Sequence, residues 1–256
     1  MHSNHTSHRI FLFLLLTLLI VANQTGAVAR ADKRKTRSVA QQAKSSLSRT
    51  ELKKAAQRLS EMGYANGNDG GIDRSAIIAF QKWEGLDVTG RITRADYEAI
   101  MNANAPQTKD AGYKHVEVDL DRQVLLLIDD NGEVEKILPV STGSEQRYNV
   151  KGMSGLAYTP RGRFRIYSKL SGWKRSPLGL LYYPNYFSDG LAIHGNPSVP
   201  DNPQSHGCIR IPMSSAAEMS DLLPVGTIVL IYDQRSFVSA KDWAQADREK
   251  QQAANR

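Results

Sequence analysis

Cysteine is almost absent from this sequence: Cys208 is the only one among 256 residues. A single cysteine excludes an internal disulfide. An unpaired thiol that persists in an oxidising compartment is a candidate reactive group.

Charge imbalance is also small over most of the chain. The net charge is +7, but residues 51–256 contain 25 basic and 25 acidic side chains, and the excess lies at Arg9 and within residues 30–50. We therefore expect no nucleic-acid partner. Residues 151–210 are locally basic, with eight cations against Asp189 and Asp201. This imbalance suits a carboxylate-bearing substrate and a thiolate, or is an ordinary solvated surface.

The N-terminal region lacks the pattern of a packed domain. Residues 30–49 contain no aromatic side chain and no apolar periodicity, which predicts a flexible basic linker. Before it, the apolar run 10–22 is short for a membrane span, and Ala27-Val28-Ala29 fits a cleavage site. We predict a signal peptide at 1–29, export to the periplasm or cell wall, and no stable membrane span after its removal. An uncleaved anchor is the alternative.

The surroundings of Cys208 favour a nucleophile. Residues 192–212 read AIHGNPSVPDNPQSHGCIRIP, with His194 ending an apolar run that predicts a buried strand. A catalytic thiol needs an imidazole to take its proton and backbone N–H groups to bind the oxyanion. Gly207 leaves room next to the sulfur for a substrate backbone. The residues alone leave two alternatives: a buried, unreactive cysteine, or a zinc site using His194, His206 and Cys208.

The H-G-N at 194–196 followed by S-H-G-C-I-R at 205–210 resembles the signature of the L,D-transpeptidase (YkuD-like) catalytic domain. This resemblance implies that Cys208 is the nucleophile and His194 the general base, oriented through the backbone at Gly195. It also implies an oxyanion site at the N–H groups of Gly207 and Cys208, shaped by Ser205 and His206. Arg210 stands where many members carry asparagine, and we expect it to contact substrate. The aromatic run before His194 offers further candidates for the cleft, Tyr182, Tyr183 and Tyr186.

Residues 50–103 predict a small three-helix domain. Leucine, alanine and methionine recur at helical spacing after Thr50, a second helix begins near Asp73, and Thr93-x-x-Asp96 predicts the cap of a third. A-I-I-A-F-Q at 76–81 and G-L-D-V-T-G at 85–90 resemble the peptidoglycan-binding domain 1 family. The resemblance implies docking onto glycan or stem peptide. A structural spacer is the alternative.

After a linker at 104–111, residues 112–233 predict a mainly β catalytic domain, a YkuD-like β-sandwich or barrel with a short helix. Runs at 115–120, 124–128, 134–140 and 227–232 have strand patterning. His115 is expected at a strand surface, and Ser215-x-x-Glu218 predicts the N-terminal cap of the helix. Residues 234–256 predict a polar tail.

By resemblance, the expected function is peptidoglycan L,D-transpeptidation without metal or organic cofactor, with stem peptides and glycan as partners and carbapenems as covalent inhibitors. Three alternatives remain open from the sequence: an L,D-carboxypeptidase that hydrolyses the same acyl-enzyme, a catalytically silent wall-binding protein, and a zinc hydrolase.

Overall fold

The computed structural model describes residues 46–64 and 72–236. The predicted signal peptide, most of the basic linker and most of the polar tail lie outside the described residues. All described helices and strands belong to one compact unit that begins at Arg49. Within the described ranges, no helix has the length and apolar character needed to span a membrane.

Three helices open the unit: α1 (Arg49–Glu61), α2 (Arg74–Glu84) and α3 (Arg94–Asn102). The Asp73 side chain caps α2 by accepting a 2.9 Å hydrogen bond from Ser75 N–H, and Gly85 ends it in the left-handed region at φ 67°. Thr93 and Asp96 form the predicted capping box of α3. The prediction of three helices is therefore confirmed.

The rest of the unit is mainly β and also matches its prediction. The strands are β1 (His115–Asp119), β2 (Val124–Ile128), β3 (Val134–Pro139), β4 (Arg147–Val150), β5 (Met153–Leu156), β6 (Gly162–Arg165), β7 (Ser168–Lys169), β8 (Trp173–Ser176), β9 (Gly179–Ser188), β10 (Leu191–Asn196), β11 (Ile209–Pro212) and β12 (Ile228–Tyr232). One sheet has the order β3-β2-β1-β12-β6, and a second has β11-β10-β9-β7 with β8 also on β9. Strands β4 and β5 form a separate hairpin. Most pairs are antiparallel, but β1 with β12 and β10 with β11 are parallel.

The two sheets enclose the main hydrophobic core. Its buried residues come from β1, β2, β3 and β12 on one side, and from β9, β10 and β11 on the other. Helix α4 (Met213–Leu222) closes this core with Ala216 and Met219. The result is a sandwich in which β10 and β11 are anchored through Ile193, Ile209 and Ile211.

A second core lies on the opposite face of the first sheet. Leu125 and Leu127 of β2 face the main core, whereas Val124, Leu126 and Ile128 pack against the three helices. Every residue of β2 is therefore buried, which explains its uninterrupted apolar sequence. Each such side chain contributes about 1.5–3 kcal/mol of hydrophobic stabilisation. The helices and the sheet thus share one core.

Two local expectations are wrong. Helix α4 begins at Met213 directly after β11, with Pro212 at its N-cap and no side-chain cap, so Ser215 lies buried in the first turn. His115 is fully buried, and its Nε2 lies 3.2 Å from the Glu117 carboxylate. That carboxylate also accepts hydrogen bonds from the backbone N–H groups of Lys109 and Asp110, which fixes the predicted linker onto the sheet.

Candidate active site

Two neighbouring parallel strands bring the predicted catalytic residues together. In the register of β10 with β11, His194 pairs with Arg210, and Ile193 pairs with Ile209. Because side chains alternate along a strand, the isoleucines enter the core while His194 and Arg210 share the other face. Cys208 lies immediately before β11, two residues before Arg210, and lines the same cleft as His194 and Arg210. The thiol, the imidazole and the guanidinium therefore all line one cleft.

His194 is fixed as a neutral base. Its ring is almost fully buried, and its Nδ1 lies 2.9 Å from the Gly195 carbonyl oxygen. A carbonyl only accepts hydrogen bonds, so Nδ1 carries the proton and Nε2 keeps its lone pair. Burial lowers the pKa of His194 to about 4; the Gly195 hydrogen bond opposes this effect, and the charge of Arg210 adds to it.

Cys208 is a partly exposed free thiol immediately before β11. Burial raises the pKa of this thiol, and the Ala192 backbone N–H and the Arg210 charge offset only part of the rise. The resting site therefore contains a neutral thiol beside a neutral imidazole.

Four hydrogen bonds made by two hydroxyl groups fix the backbone turn that presents the sulfur. Ser205 Oγ donates to the Cys208 carbonyl at 2.5 Å and accepts from Gly207 N–H at 3.0 Å. From outside the motif, Thr159 Oγ1 donates to the Gly207 carbonyl at 2.8 Å and accepts from Gly143 N–H at 2.8 Å. Both hydroxyl-bearing side chains are buried. Thr159 was missed by the sequence reasoning, since nothing in the pattern near residue 159 links it to a segment almost 50 residues later.

Gly207 is required by its backbone and its neighbour. Its φ is +133°, and a Cβ placed there would lie 2.8 Å from the Tyr158 carbonyl oxygen. We expected the missing side chain to leave room for substrate. The space is instead occupied by another strand connection of the protein itself, so that interpretation is corrected.

Gly195 has an equally crowded position beside His194. A Cβ there would lie 2.6 Å from Ala216 Cβ in α4 and 3.1 Å from the Tyr182 ring. Its carbonyl accepts the hydrogen bond from His194 Nδ1–H, so the same residue orients the imidazole and lets α4 approach β10.

The cleft has a volume of about 370 Å³ and two distinct walls. One wall is the β4–β5 hairpin, where the Tyr148 ring meets His206 edge-on at 4.8 Å between centroids. The other is the turn between β8 and β9, residues 176–181. Arg210 is half-buried at the floor, and within the described ranges it forms no ion pair with a carboxylate. A cation without a carboxylate partner among the described residues therefore lines the same cleft as the Cys208 thiol.

Two of the predicted substrate contacts are not brought to the cleft. Tyr182 and Tyr183 pack against each other at 4.7 Å between ring centroids and against the main core, and neither lines the cleft. Trp173 covers the outer side of Tyr182 at 4.9 Å. Burial raises the pKa of Tyr186, and an ionised Cys208 would add to this effect.

The alternative of a zinc site finds no ligand group in the structure. Across residues 46–64 and 72–236, no three His, Cys, Asp or Glu side chains are placed to bind one metal ion. His194, His206 and Cys208 border the same cleft without forming such a cluster.

Comparison with known proteins places this geometry in a family. The YkuD family model, described as the L,D-transpeptidase catalytic domain, matches residues 113–231. Comparison with curated protein sequences gives no match. Among solved structures, an L,D-transpeptidase from Xylanimonas cellulosilytica is 36% identical over 71% of this chain and 93% of that chain, with a TM-score of 0.66.

Two further solved structures are more distant. An L,D-transpeptidase from Stackebrandtia nassauensis is 23% identical over 71% of this chain and 90% of its own, with a TM-score of 0.42. The LD transpeptidase LdtMt1 in complex with imipenem is 22% identical over 46% of this chain and 58% of its own, with a TM-score of 0.38. The family-model match and the Xylanimonas structure, at 36% identity, both indicate the same family. The chain therefore belongs to the L,D-transpeptidase (YkuD) family.

Proposed function

We propose that this protein is an exported peptidoglycan L,D-transpeptidase that works by cysteine acyl transfer. The observation that carries the proposal is that Cys208, His194 and Arg210 all line one cleft, with His194 opposite Arg210 in two parallel strands and Cys208 immediately before the second strand. A nucleophile, a neutral base and an unpaired cation are what transfer of an acyl group from a carboxylate-bearing peptide requires.

In the first half-reaction, the Cys208 sulfur attacks the carbonyl carbon of the diamino acid that precedes the terminal D-alanine of a tetrapeptide stem. His194 Nε2 takes the thiol proton as the S–C bond forms. The C–N bond then breaks, and the imidazolium returns the proton to the departing amine, so that D-alanine leaves and a thioester remains. Because both resting groups are neutral, proton transfer accompanies the attack.

In the second half-reaction, the amine of a neighbouring stem attacks the thioester. An N–C bond forms, the C–S bond breaks, and the amine proton passes through His194 to the sulfur. The product is a cross-link between two stems. Water in place of the amine would instead give a carboxypeptidase.

Backbone N–H groups near the sulfur are the candidates for stabilising the oxyanion. The Gly207 N–H donates to Ser205 Oγ in the resting state. A developing oxyanion would therefore compete with Ser205 for this donor. The Cys208 N–H is the second proposed donor to the oxyanion. Arg210 is the proposed partner of a substrate carboxylate.

The three helices are proposed to contact the cell wall, as their resemblance to peptidoglycan-binding domain 1 implies. Their docking on the sheet supports a role in one rigid enzyme with the catalytic part. A wall substrate also requires export, for which the sequence at 1–29 is the candidate signal.

Intact-protein mass spectrometry after incubation with a tetrapeptide donor tests the function. We expect a mass increase equal to the acyl tripeptide on the wild type and none on Cys208→Ala. Adding an acceptor amine should discharge the adduct as a cross-linked product. Discharge to free tripeptide at the same rate with and without amine would replace transpeptidation by hydrolysis, and no adduct at all would refute acyl transfer.

A further inference from the structure

The connection between β10 and β11 leads from His194 to Cys208 and positions the nucleophile. Residues 197–208, called here the crossover loop, begin directly after β10, three positions after His194, and end at Cys208. Neighbouring parallel strands cannot be joined by a tight turn, so this loop must leave the sheet and return. Its path sets the backbone position of the nucleophile.

The loop is attached to the rest of the protein at successive backbone groups. Lys82 Nζ donates to the Pro200 carbonyl at 3.3 Å, and Ser141 Oγ donates to the Asn202 carbonyl at 2.8 Å. The same Ser141 oxygen accepts from Gln204 N–H at 3.1 Å. These contacts fix the middle of the loop to the segment that follows β3 and to helix α2.

Lys82 is the unusual member of this set. It belongs to α2, 118 residues before Pro200, and only 6% of its surface is exposed. Its second hydrogen bond goes to the Val140 carbonyl at 2.8 Å. Within the described part of the chain, it forms no ion pair with a carboxylate. The charge of Asp201 raises the pKa of Lys82, against the larger effect of burial.

A buried ammonium bound only to carbonyl groups is an expensive way to fill space, because an apolar side chain of the same length avoids the desolvation cost. Burial lowers the pKa of Lys82 to about 8, which reflects that cost. The two carbonyls it joins belong to the end of β3 and to the crossover loop. Its effect is therefore to fasten one to the other.

We infer that Lys82 is a positioning residue for the transpeptidase reaction: it fixes the crossover loop so that Cys208 remains aligned with His194, and it makes the helical segment part of the catalytic machinery. This inference rests on the proposed function.

The test compares two reactions of the same sulfur. Acylation by imipenem needs Cys208 aligned with His194 and the oxyanion donors. Alkylation by iodoacetamide, at a pH high enough to ionise the thiol, needs only that the sulfur is accessible. For Lys82→Met we expect the acylation rate to fall about tenfold to a hundredfold, while the alkylation rate stays within about twofold. For transpeptidation, kcat should fall while KM changes little, because the residues that line the cleft are unchanged. Lys82→Arg, which keeps two donors, should recover part of the loss.

Lys53→Met is the matched control, because Lys53 is an exposed lysine on α1. It should leave both rates unchanged. If Lys82→Met does not fold, Ser141→Ala decides the question, since it releases Asn202 and Gln204 without touching α2 and should lower the same acylation-to-alkylation ratio.

A wild-type ratio in folded Lys82→Met, or in Ser141→Ala if that variant must stand in, would overturn the inference while leaving the proposed function intact. Failure of imipenem and of the tetrapeptide donor to acylate the wild type would instead refute the proposed function.

Discussion

Arg210 lies directly opposite His194 in the register of β11 with β10. The guanidinium therefore acts on both proton-transfer groups: it lowers the pKa of His194 and also that of Cys208. These effects favour an unprotonated base and an ionised nucleophile. Burial has the larger effect at each group, lowering the pKa of the imidazole and raising that of the thiol.

The pH dependence of acylation should follow from these directions. His194 must be unprotonated to act as a base, and its pKa is about 4. The rate of acylation by imipenem should therefore stay level from neutral pH down to about pH 5, and fall as the pH drops through about 4. Stopped-flow measurement of the acylation rate from about pH 3.5 to about pH 9 tests this expectation. A fall centred near the ordinary histidine value would contradict it.

Replacing Arg210 with glutamine should affect binding and the thiol separately. Loss of a charge-assisted hydrogen bond to a substrate carboxylate should raise KM for the tetrapeptide by about tenfold or more. Iodoacetamide alkylation at a fixed mildly alkaline pH should slow, because the thiol pKa rises further without the cation. Arg175→Gln removes an exposed cation outside the cleft lining and should change neither quantity. An unchanged KM in Arg210→Gln would exclude the proposed contact.

Gly207→Ala should be strongly destabilising and inactive. The new Cβ would lie 2.8 Å from the Tyr158 carbonyl, at a φ of +133° that L-residues rarely adopt. We expect a loss of about 2–4 kcal/mol in the free energy of unfolding, measured by denaturant titration. The control is Gly172→Ala, which also has a positive φ but no atom within 4 Å of the added carbon. It should cost only about 1–2 kcal/mol. Equal losses in the two variants would show that the Tyr158 contact is unimportant.

Thr159→Val tests whether a buried hydroxyl outside the motif supports the nucleophile turn. Valine keeps the shape of threonine but leaves the Gly143 N–H without its acceptor and the Gly207 carbonyl without its donor. The free energy of unfolding should fall by about 1–3 kcal/mol, and imipenem acylation should slow in the folded protein. Thr159→Ser retains the hydroxyl and should keep most of both. Wild-type acylation in the valine variant would remove Thr159 from the account of the site.

Expression of residues 112–256 without the helices should give a protein that does not fold stably. Removing the helices would expose the four sheet residues of the second core, Val124, Leu126, Ile128 and Ile137. At about 1.5–3 kcal/mol each, their loss is comparable with the whole stability of an ordinary domain. Circular dichroism melting of the fragment beside the full chain measures this. A cooperative melt of the fragment near the full-length temperature would support residues 112–233 as an independent domain.

The sequence predicted the parts of the fold that depend on neighbouring residues. The start of α2 near Asp73, the cap at Thr93 and the apolar run of β2 are local signals, and the structure confirms each. The S-H-G-C motif is local in the same way, since its internal hydrogen bonds span only two or three residues.

Contacts between distant segments were not readable in the same way. Nothing local indicates that Thr159 reaches Gly207, or that Lys82 reaches Pro200. His115 was expected at a surface because polar residues usually lie there, but Glu117 and the docked linker cover it. The aromatic run at 182–183 was assigned to the cleft by proximity in sequence, whereas the pairing of β9 directs those rings toward the core and Trp173.

The two-sided burial of β2 leaves its alignment to be decided by its ends. All five of its residues are apolar, so sliding the strand by one position would still put hydrophobic groups on both faces. At one end, Gln123 has a φ of 55° and ties its side chain to Leu120 and Thr142. At the other, Asp129 closes a turn through Gly132 and Glu133. Polar contacts at its two ends thus hold β2 in register. Mutations of Gln123 or Asp129 would disturb the packing of both hydrophobic cores without changing any hydrophobic residue.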